Sequence, residues 1–312
     1  MRIICFGHAL CHFRSLTMRR LFQRMRTPLR GFSCTLAIVW GLPSAAVSGE
    51  LMDTVTRLES EVGGRIGVVL QHTGSEWGIE HREDERFPMA STFKALLCGA
   101  VLSRVDRGEE SLDDLVTYKA TELVSYSPVT KNHVASGMSV GQLCEATVTM
   151  SDNTAANLLL KRVDGSEGLT RFLRGLGDRV TRLDRNEPAL NEAKHGDSRD
   201  TTTPSAVLKT LDRLLFEDVL LPSSRAQLQQ WMVDDKVADE LIRKHLPKGW
   251  RIADKSGGGQ NGSRGIISVI WPETGKPYLA SVYMMGSDAS FRQRNAVIAA
   301  IGKAMIEEIK QR

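Results

Sequence analysis

Ser91-Thr92-Phe93-Lys94 sets a hydroxyl and an amine three residues apart, a spacing that puts both on one face of a helix. A serine hydroxyl is a poor nucleophile until a base is close, and a lysine can be that base if its pKa is lowered. A helix start would add backbone N–H groups and a positive dipole where an oxyanion could form. This is the chain's only Ser-x-x-Lys, yet an N-cap serine followed by a surface lysine would look the same. Against that alternative, Phe93, Ala95, Leu96, Leu97, Ala100, Val101 and Leu102 make the segment apolar nearly all round. A lysine in such company is unusual unless it is paired. Ser151-Asp152-Asn153 reads equally well as a helix cap before Thr154-Ala155-Ala156. Lys255-Ser256-Gly257 reads as an edge-strand lysine before a glycine-rich turn. It is no phosphate loop, because that motif needs its glycines before Lys-Ser and a helix after. Each triplet is bland alone; the three in this order are far more specific.

The elements that must carry these residues follow from periodicity. Leu51, Val55, Leu58 and Val62 give a helix from Leu51 to Val62, ended by Gly63-Gly64. Arg65 to Gln71 predicts a strand, and Glu76 to Glu80 a second across a Thr73-Gly74-Ser75 turn. A buried central helix is expected from Ser91 to about Arg107 after Pro88. Further helices are expected over Thr154 to Val163, Gly168 to Leu176, Pro204 to Phe216 and Ser223 to Val233. Strands at Arg251 to Gly257, Arg264 to Trp271 and Leu279 to Met285 precede a long amphipathic helix, Phe291 to Ile309. That order implies an α/β (α+β) fold, its sheet built from both ends of the chain around an all-helical insertion. No internal repeat or low-complexity linker interrupts it.

Of the 41 basic groups, seven arginines and no lysine lie in the first 48 residues, together with none of the 37 acids. The remainder therefore carries a formal charge of about −3, which argues against a nucleic-acid partner. Residues 1–48 read as a leader. Arg26 and Arg30 precede an apolar run, Phe32 to Leu42, too short to cross a bilayer, and small residues at Pro43 to Ser48 predict cleavage before Gly49. Met18 and Met25 are alternative starts. Arg19-Arg20-Leu21-Phe22 lacks the rest of a twin-arginine signal. Cys5, Cys11 and Cys34, with His8 and His12, fall in the leader and cannot hold a structural metal after its removal. Cys98 and Cys144 remain, as one disulfide or as two buried thiols; export favours the disulfide. His72, His81, His133, His195 and His245 are scattered without metal-ligand spacing, so no metal is expected.

Ser-x-x-Lys, Ser-Asp-Asn and Lys-Ser-Gly together resemble the signature of class A β-lactamases and penicillin-binding proteins. The likeness to TEM-type class A enzymes extends over Phe87-Pro88-Met89, Ser91 to Arg104, Tyr126 to Thr130, Met150 to Leu160, Val180 to Glu192, Ile252 to Gly257 and Gly262 to Ile267, covering nearly all of residues 50–310. It implies an antiparallel five-stranded sheet flanked by the terminal helices, with residues 49–89 and 234–312 forming an α/β domain. Residues 90–233 would form an all-α domain that includes an Ω-loop at 182–200. It also implies a set of roles. Ser91 is the nucleophile, Lys94 and Glu187 are candidate bases for acylation, and Ser151 is the proton donor to the lactam nitrogen. The backbone N–H groups of Ser91 and Gly258 form the oxyanion hole. Asn153 holds Lys94 and the substrate's side-chain amide, and Lys255, Ser256 and Arg264 receive its carboxylate. Tyr126 forms a cleft wall, and Asp152 is structural. Glu187-Pro188-Ala189-Leu190-Asn191, otherwise a polar turn broken by proline, supplies the deacylating base in Glu187 and a water-holding amide in Asn191. Arg185 and Asp200 match the pair that closes the Ω-loop, and Cys98 and Cys144 match the TEM-type disulfide.

The resemblance thus implies a monomeric, periplasmic serine β-lactamase acting on penicillins and early cephalosporins, with no cofactor and no membrane association after cleavage. Ala90, Ser125, Gly258 and Gln260 depart from the TEM pattern and bear on substrate range. The absence of cysteine at Ala90 and Gly259 lowers the expectation of carbapenem hydrolysis. The rivals are a DD-peptidase and a penicillin sensor that acylates without turnover. Glu187 with Asn191 argues against the first; the lack of a visible anchor and signalling partner argues against the second.

Overall fold

The computed structural model describes residues 49–312; the leader, its cleavage site and its cysteines lie outside them. Helix α1 spans Gly49–Val62 and buries Leu51, Val55 and Leu58, one stripe at helical spacing. Strand β1 (Arg65–His72) turns into β2 (Gly78–His81), two residues later than expected. The delay has a local cause. Ser75 Oγ accepts the Trp77 amide at 3.3 Å, and His72 N donates to Trp77 O at 3.1 Å, so the turn runs through Trp77. Strand β3 (Phe87–Pro88) leads into a 3₁₀ turn, Ala90–Thr92, and then α2 (Phe93–Asp106). Ser91 therefore lies in the 3₁₀ turn, one step ahead of the α-helix.

The short strands β4 (Leu115–Val116) and β5 (Met138–Ser139) pair antiparallel and precede α3 (Val140–Thr149), a helix the periodicity did not announce. Its signal is a capping box: Gln142 N donates to Ser139 Oγ at 3.2 Å, and Ser139 N to Gln142 Oε1 at 2.9 Å. Helix α4 (Asn153–Arg162) is capped by Asp152, and α5 is Gly165–Gly175. Strand β6 (Thr201–Thr202) pairs with β3, tying the end of the 182–200 segment to the approach to Ser91. Helix α6 (Pro204–Phe216) has a Thr203 cap and proline in its first turn; α7 is Pro222–Val233. Strands β7 (Arg251–Gly258), β8 (Arg264–Trp271) and β9 (Tyr278–Met285) follow, and α8 (Phe291–Lys310) closes the chain.

The sheet order is β2-β1-β9-β8-β7, antiparallel throughout, so it is assembled from both ends of the described chain as expected. Side chains alternate between two cores, as the pleat requires. Ile66, Val68, Leu70, Ile266, Ile270 and Val282 pack under α1 and α8. Val69, Ile267, Val269 and Tyr283 pack against the helical layer containing α2. Helix α2 has eleven buried residues from Phe93 to Ser103, which makes it the axis of that layer. Lys94 is among them, with no exposed surface.

The disulfide between Cys98 and Cys144 is not formed. Both are free, buried thiols that lie beside each other on α2 and α3, with Cys98 Sγ 3.7 Å from the Cys144 carbonyl oxygen. Burial, reinforced by the neighbouring Cys98, pushes the Cys144 thiol well up, which keeps it in the unreactive protonated form. Among the described residues no helix is long and apolar enough to cross a membrane. No group of three or more His, Cys, Asp or Glu among them could hold a metal.

Candidate active site

Three separate elements deliver the chemistry to one point. The 3₁₀ turn carries Ser91, the first turn of α2 carries Lys94, and the loop before α4 carries Ser151. Lys94 Nζ lies 2.9 Å from Ser91 Oγ, 2.9 Å from Ser151 O, 3.3 Å from Ser151 Oγ and 2.6 Å from Asn153 Oδ1. It is also 3.0 Å from Glu187 Oε1, with both side chains fully buried. An ammonium has three N–H groups and faces five oxygens, so it cannot satisfy them all at once. Its shorter bonds run to Asn153 Oδ1, Ser151 O and Ser91 Oγ, while the Ser91 hydroxyl donates onward to Glu187 Oε1. Burial pulls the Lys94 ammonium down to about 8, with Glu187 opposing and Lys255 assisting. At pH 7 roughly a tenth of the molecules then carry the neutral amine that a base requires, a share that grows as pH rises through 8.

Glu187 reaches the nucleophile from the segment after α5. Its Oε1 accepts from Ser91 Oγ at 3.4 Å, and its Oε2 from Asn191 Nδ2 at 2.5 Å. Its backbone is clamped by Asn157 on α4. Glu187 N donates to Asn157 Oδ1, and Asn157 Nδ2 donates to Glu187 O, both at 2.9 Å. Sequence reasoning passed over Asn157 because a lone polar residue on a helix has no motif of its own. The Glu187–Pro188 peptide is cis. The 182–200 segment closes on itself. Asp200 Oδ1 accepts the Asp184 and Arg185 amides, and Arg185 Nε donates to Asp200 Oδ2 at 2.6 Å. Arg185 also bonds Glu192. Asp200 is almost fully buried, so losing it strands Arg185 and two amides. Asp200→Ala is expected to cost about 3 kcal/mol and to lower the thermal midpoint by roughly 6–12 °C. An unchanged melting curve would show that this clasp does not hold the loop.

Asp152 does not face the cleft. Its buried carboxylate accepts from Val129 N, Thr130 N, Thr130 Oγ1 and Ala155 N, joining two loops to α4. Asn153 Nδ2 donates to Ser125 O at 2.8 Å, which orients its Oδ1 toward Lys94. Ala90, Tyr126 and Ser151 all adopt left-handed backbone, with φ of 43°, 62° and 56°. Three such non-glycine residues at one site mark a backbone held there by its surroundings.

The opposite wall is β7. Gly257 runs directly against the nucleophile: a Cβ there would lie 2.6 Å from the Ser91 amide nitrogen. Lys255 is fully buried, with Nζ 3.0 Å from Ser256 O and 3.9 Å from Asp235 Oδ2. Burial lowers its pKa, and Asp235 and Asp254 oppose that shift. Asp254 in turn is paired with Arg243 at 2.9 Å. Arg264, nearly buried, donates to Gly257 O at 2.7 Å and Asn295 Oδ1 at 2.8 Å. Burial and the neighbouring Arg294 bring the Arg264 guanidinium down to about 10. Asp235, Arg243 and Asn295 were not singled out in the sequence; their partners are remote in the chain.

Between the walls lies an open cleft of about 370 Å³ bordered by Ser91, Tyr126, Ser151, Asn153, Ser256 and Arg264, among others. Every residue assigned a catalytic or binding role borders it or stands directly behind its floor, whereas Cys98 and Cys144 lie in the helical core. A buried amine and carboxylate converge on one hydroxyl beneath a mouth that Arg264 borders, with the Lys255 ammonium buried behind Ser256. That arrangement suits a serine hydrolase that forms an acyl-enzyme on an anionic substrate.

The family is shown by comparison. Residues 50–309 match the model of the β-lactamase enzyme family. An ancestral (GNCA) class A β-lactamase is 52% identical, with a TM-score of 0.81 over 82% of this chain and 99% of that one. The reconstructed last common ancestor of the Gram-negative class A enzymes is 50% identical, with a TM-score of 0.82 over 83% and 99%. A protein assigned as the class A β-lactamase PenP of Rhodopseudomonas palustris is 48% identical, with a TM-score of 0.81 over 82% and 98%. The chain belongs to the β-lactamase family and is a serine β-lactamase of class A.

Proposed function

We propose that this enzyme hydrolyses penicillins and early cephalosporins, in the manner of the TEM-type enzymes, through an ester on Ser91 that a Glu187-primed water then cleaves. Ser91 Oγ attacks the lactam carbonyl as its proton passes to Lys94 or Glu187. The N–H groups of Ser91 and Gly258 receive the oxyanion, a contribution of about 3–4 kcal/mol per donor in other hydrolases. Ser151 delivers a proton to the departing nitrogen, relayed from Lys94 3.3 Å away. Asn153 takes the substrate's side-chain amide, Tyr126 borders the cleft, and Lys255, Ser256 and Arg264 take the carboxylate. The reading rests on one observation: the buried Glu187 carboxylate lies within 3.4 Å of Ser91 Oγ, near enough for both to share a water. We place the enzyme in the periplasm as a monomer, with its leader removed before Gly49.

Purified protein mixed with benzylpenicillin or a chromogenic cephalosporin is expected to turn over many equivalents, at a rate unaffected by a chelator. Consumption of a single equivalent followed by silence would point to the peptidase or the sensor. Inhibition by EDTA would contradict a metal-free mechanism.

A further inference from the structure

Phe291 opens α8 with half of its surface in solvent. Among the described residues it is one of four large apolar side chains so exposed, beside Leu115, Tyr126 and Leu221. Two of these four, Tyr126 and Phe291, line the same cleft. Apolar surface left open in a cleft is where a ligand's apolar groups are received. The ring is not loose. The guanidinium carbons of Arg264 and Arg294 lie 4.9 and 5.4 Å from its centroid, a double cation–π contact. Both arginines are anchored, Arg264 to Asn295 and Gly257, and Arg294 to Ser263 O at 2.7 Å. The far edge of the ring reaches β7: a Cβ on Gly258 would fall 2.7 Å from Cε2 and 3.4 Å from Cζ. Phe291 therefore fills the volume that a side chain at position 258 would take.

In a β-lactam, the carbon bearing the carboxylate adjoins the dimethyl carbon of a penicillin or the C3 carbon of a cephalosporin. With the carboxylate on Lys255, Ser256 and Arg264, that neighbouring group is brought beside Arg264, where Phe291 stands. We propose that Phe291 is a specificity-determining residue that reads the C3 substituent of cephalosporins and favours a flat aromatic heterocycle over a methyl group. The inference rests on the carboxylate assignment made above. Offset or edge-on ring contact is worth roughly 3–10-fold in affinity. Phe291 lies away from the reacting carbonyl, so the effect falls on KM and leaves kcat in place.

The test uses two cephalosporins with one C7 side chain. One has a C3 methyl; the other has an aromatic heterocycle joined through carbon, so that ring opening does not expel it. Phe291→Ala is expected to raise KM roughly 3–10-fold for the heteroaryl compound and less than twofold for the methyl compound. Phe291→Leu, which keeps the apolar bulk without the ring, should show the same selective loss, and Phe291→Trp should restore the preference. Equal losses on both substrates, or none on either, overturn the proposal and reduce the ring to a wedge behind Arg264. Arg264→Ala should raise KM for both compounds. If it leaves both unchanged, the carboxylate assignment falls and the reading of Phe291 falls with it.

Discussion

Glu187→Ala is expected to convert multiple turnover into trapping. Benzylpenicillin added to this variant should leave a stable adduct on Ser91, seen as the mass of the intact drug added to the protein. Deacylation should slow by roughly 10²–10⁴, the usual worth of a well-placed general base. The geometry explains why acylation survives. Glu187 opposes the downward shift of Lys94, so its removal favours the neutral amine, which still lies 2.9 Å from Ser91 Oγ. Asn191 Nδ2 loses its acceptor at the same time, so any water left near the ester is poorly held as well as unactivated. Glu187→Gln keeps the shape and removes the basicity, and it should trap equally. If Glu187→Ala yields no adduct while Ser91→Ala is likewise unmodified, the base for acylation is Glu187 itself. If Glu187→Ala turns over at the native rate, the assigned deacylation role is wrong.

Lys94→Met is expected to strike the other half-reaction. Acylation measured in a single turnover should fall by roughly 10²–10⁴, because the variant keeps an unbranched apolar stem and deletes the amine bonded to Ser91. In the unmodified enzyme, acylation should rise with pH through about 8 as Lys94 loses its proton. Stability carries the same signature. The folded-state value of about 8 lies below the ordinary 10.5, so the unfolded chain holds more protons between them. Lys94 therefore penalises folding below pH 8 and is progressively relieved as pH rises from 8 toward 10.5. Lys94→Met should remove that rise. A pH–rate profile for acylation that is flat between pH 7 and 9 would exclude Lys94 as a group titrating there.

How much of this was legible depended on how local each signal was. Ser91, Lys94, Ser151 and Lys255 belong to compact motifs, and the long strands and the apolar α2 announce themselves by period. Helix α3 was missed although Ser139 and Gln142 spell a capping box, because its mixed interior shows no clean stripe. The two-residue strands β3 and β6 carry no periodicity at all and exist only because distant segments meet. The clamp on Glu187 from Asn157 and the Arg243–Asp254 and Asp235 charges around Lys255 are likewise products of tertiary contact. The cysteines mark the limit of counting: an even pair argued for a bond, while the structure holds Cys98 and Cys144 as free thiols beside each other.

The pairing of β1 with β9 has a kinetic consequence. Val68 lies opposite Val282, so the sheet's second strand finds its neighbour more than two hundred residues later. The β1–β2 hairpin keeps one edge bare until the last strand, β9, is available to join it to the β7–β8 pair, and the loop to be closed is almost the whole protein. Folding of such a long-range topology is slow compared with that of a helical bundle. The interval before β9 arrives is the window in which the polypeptide remains open to threading, to chaperones and to proteolysis.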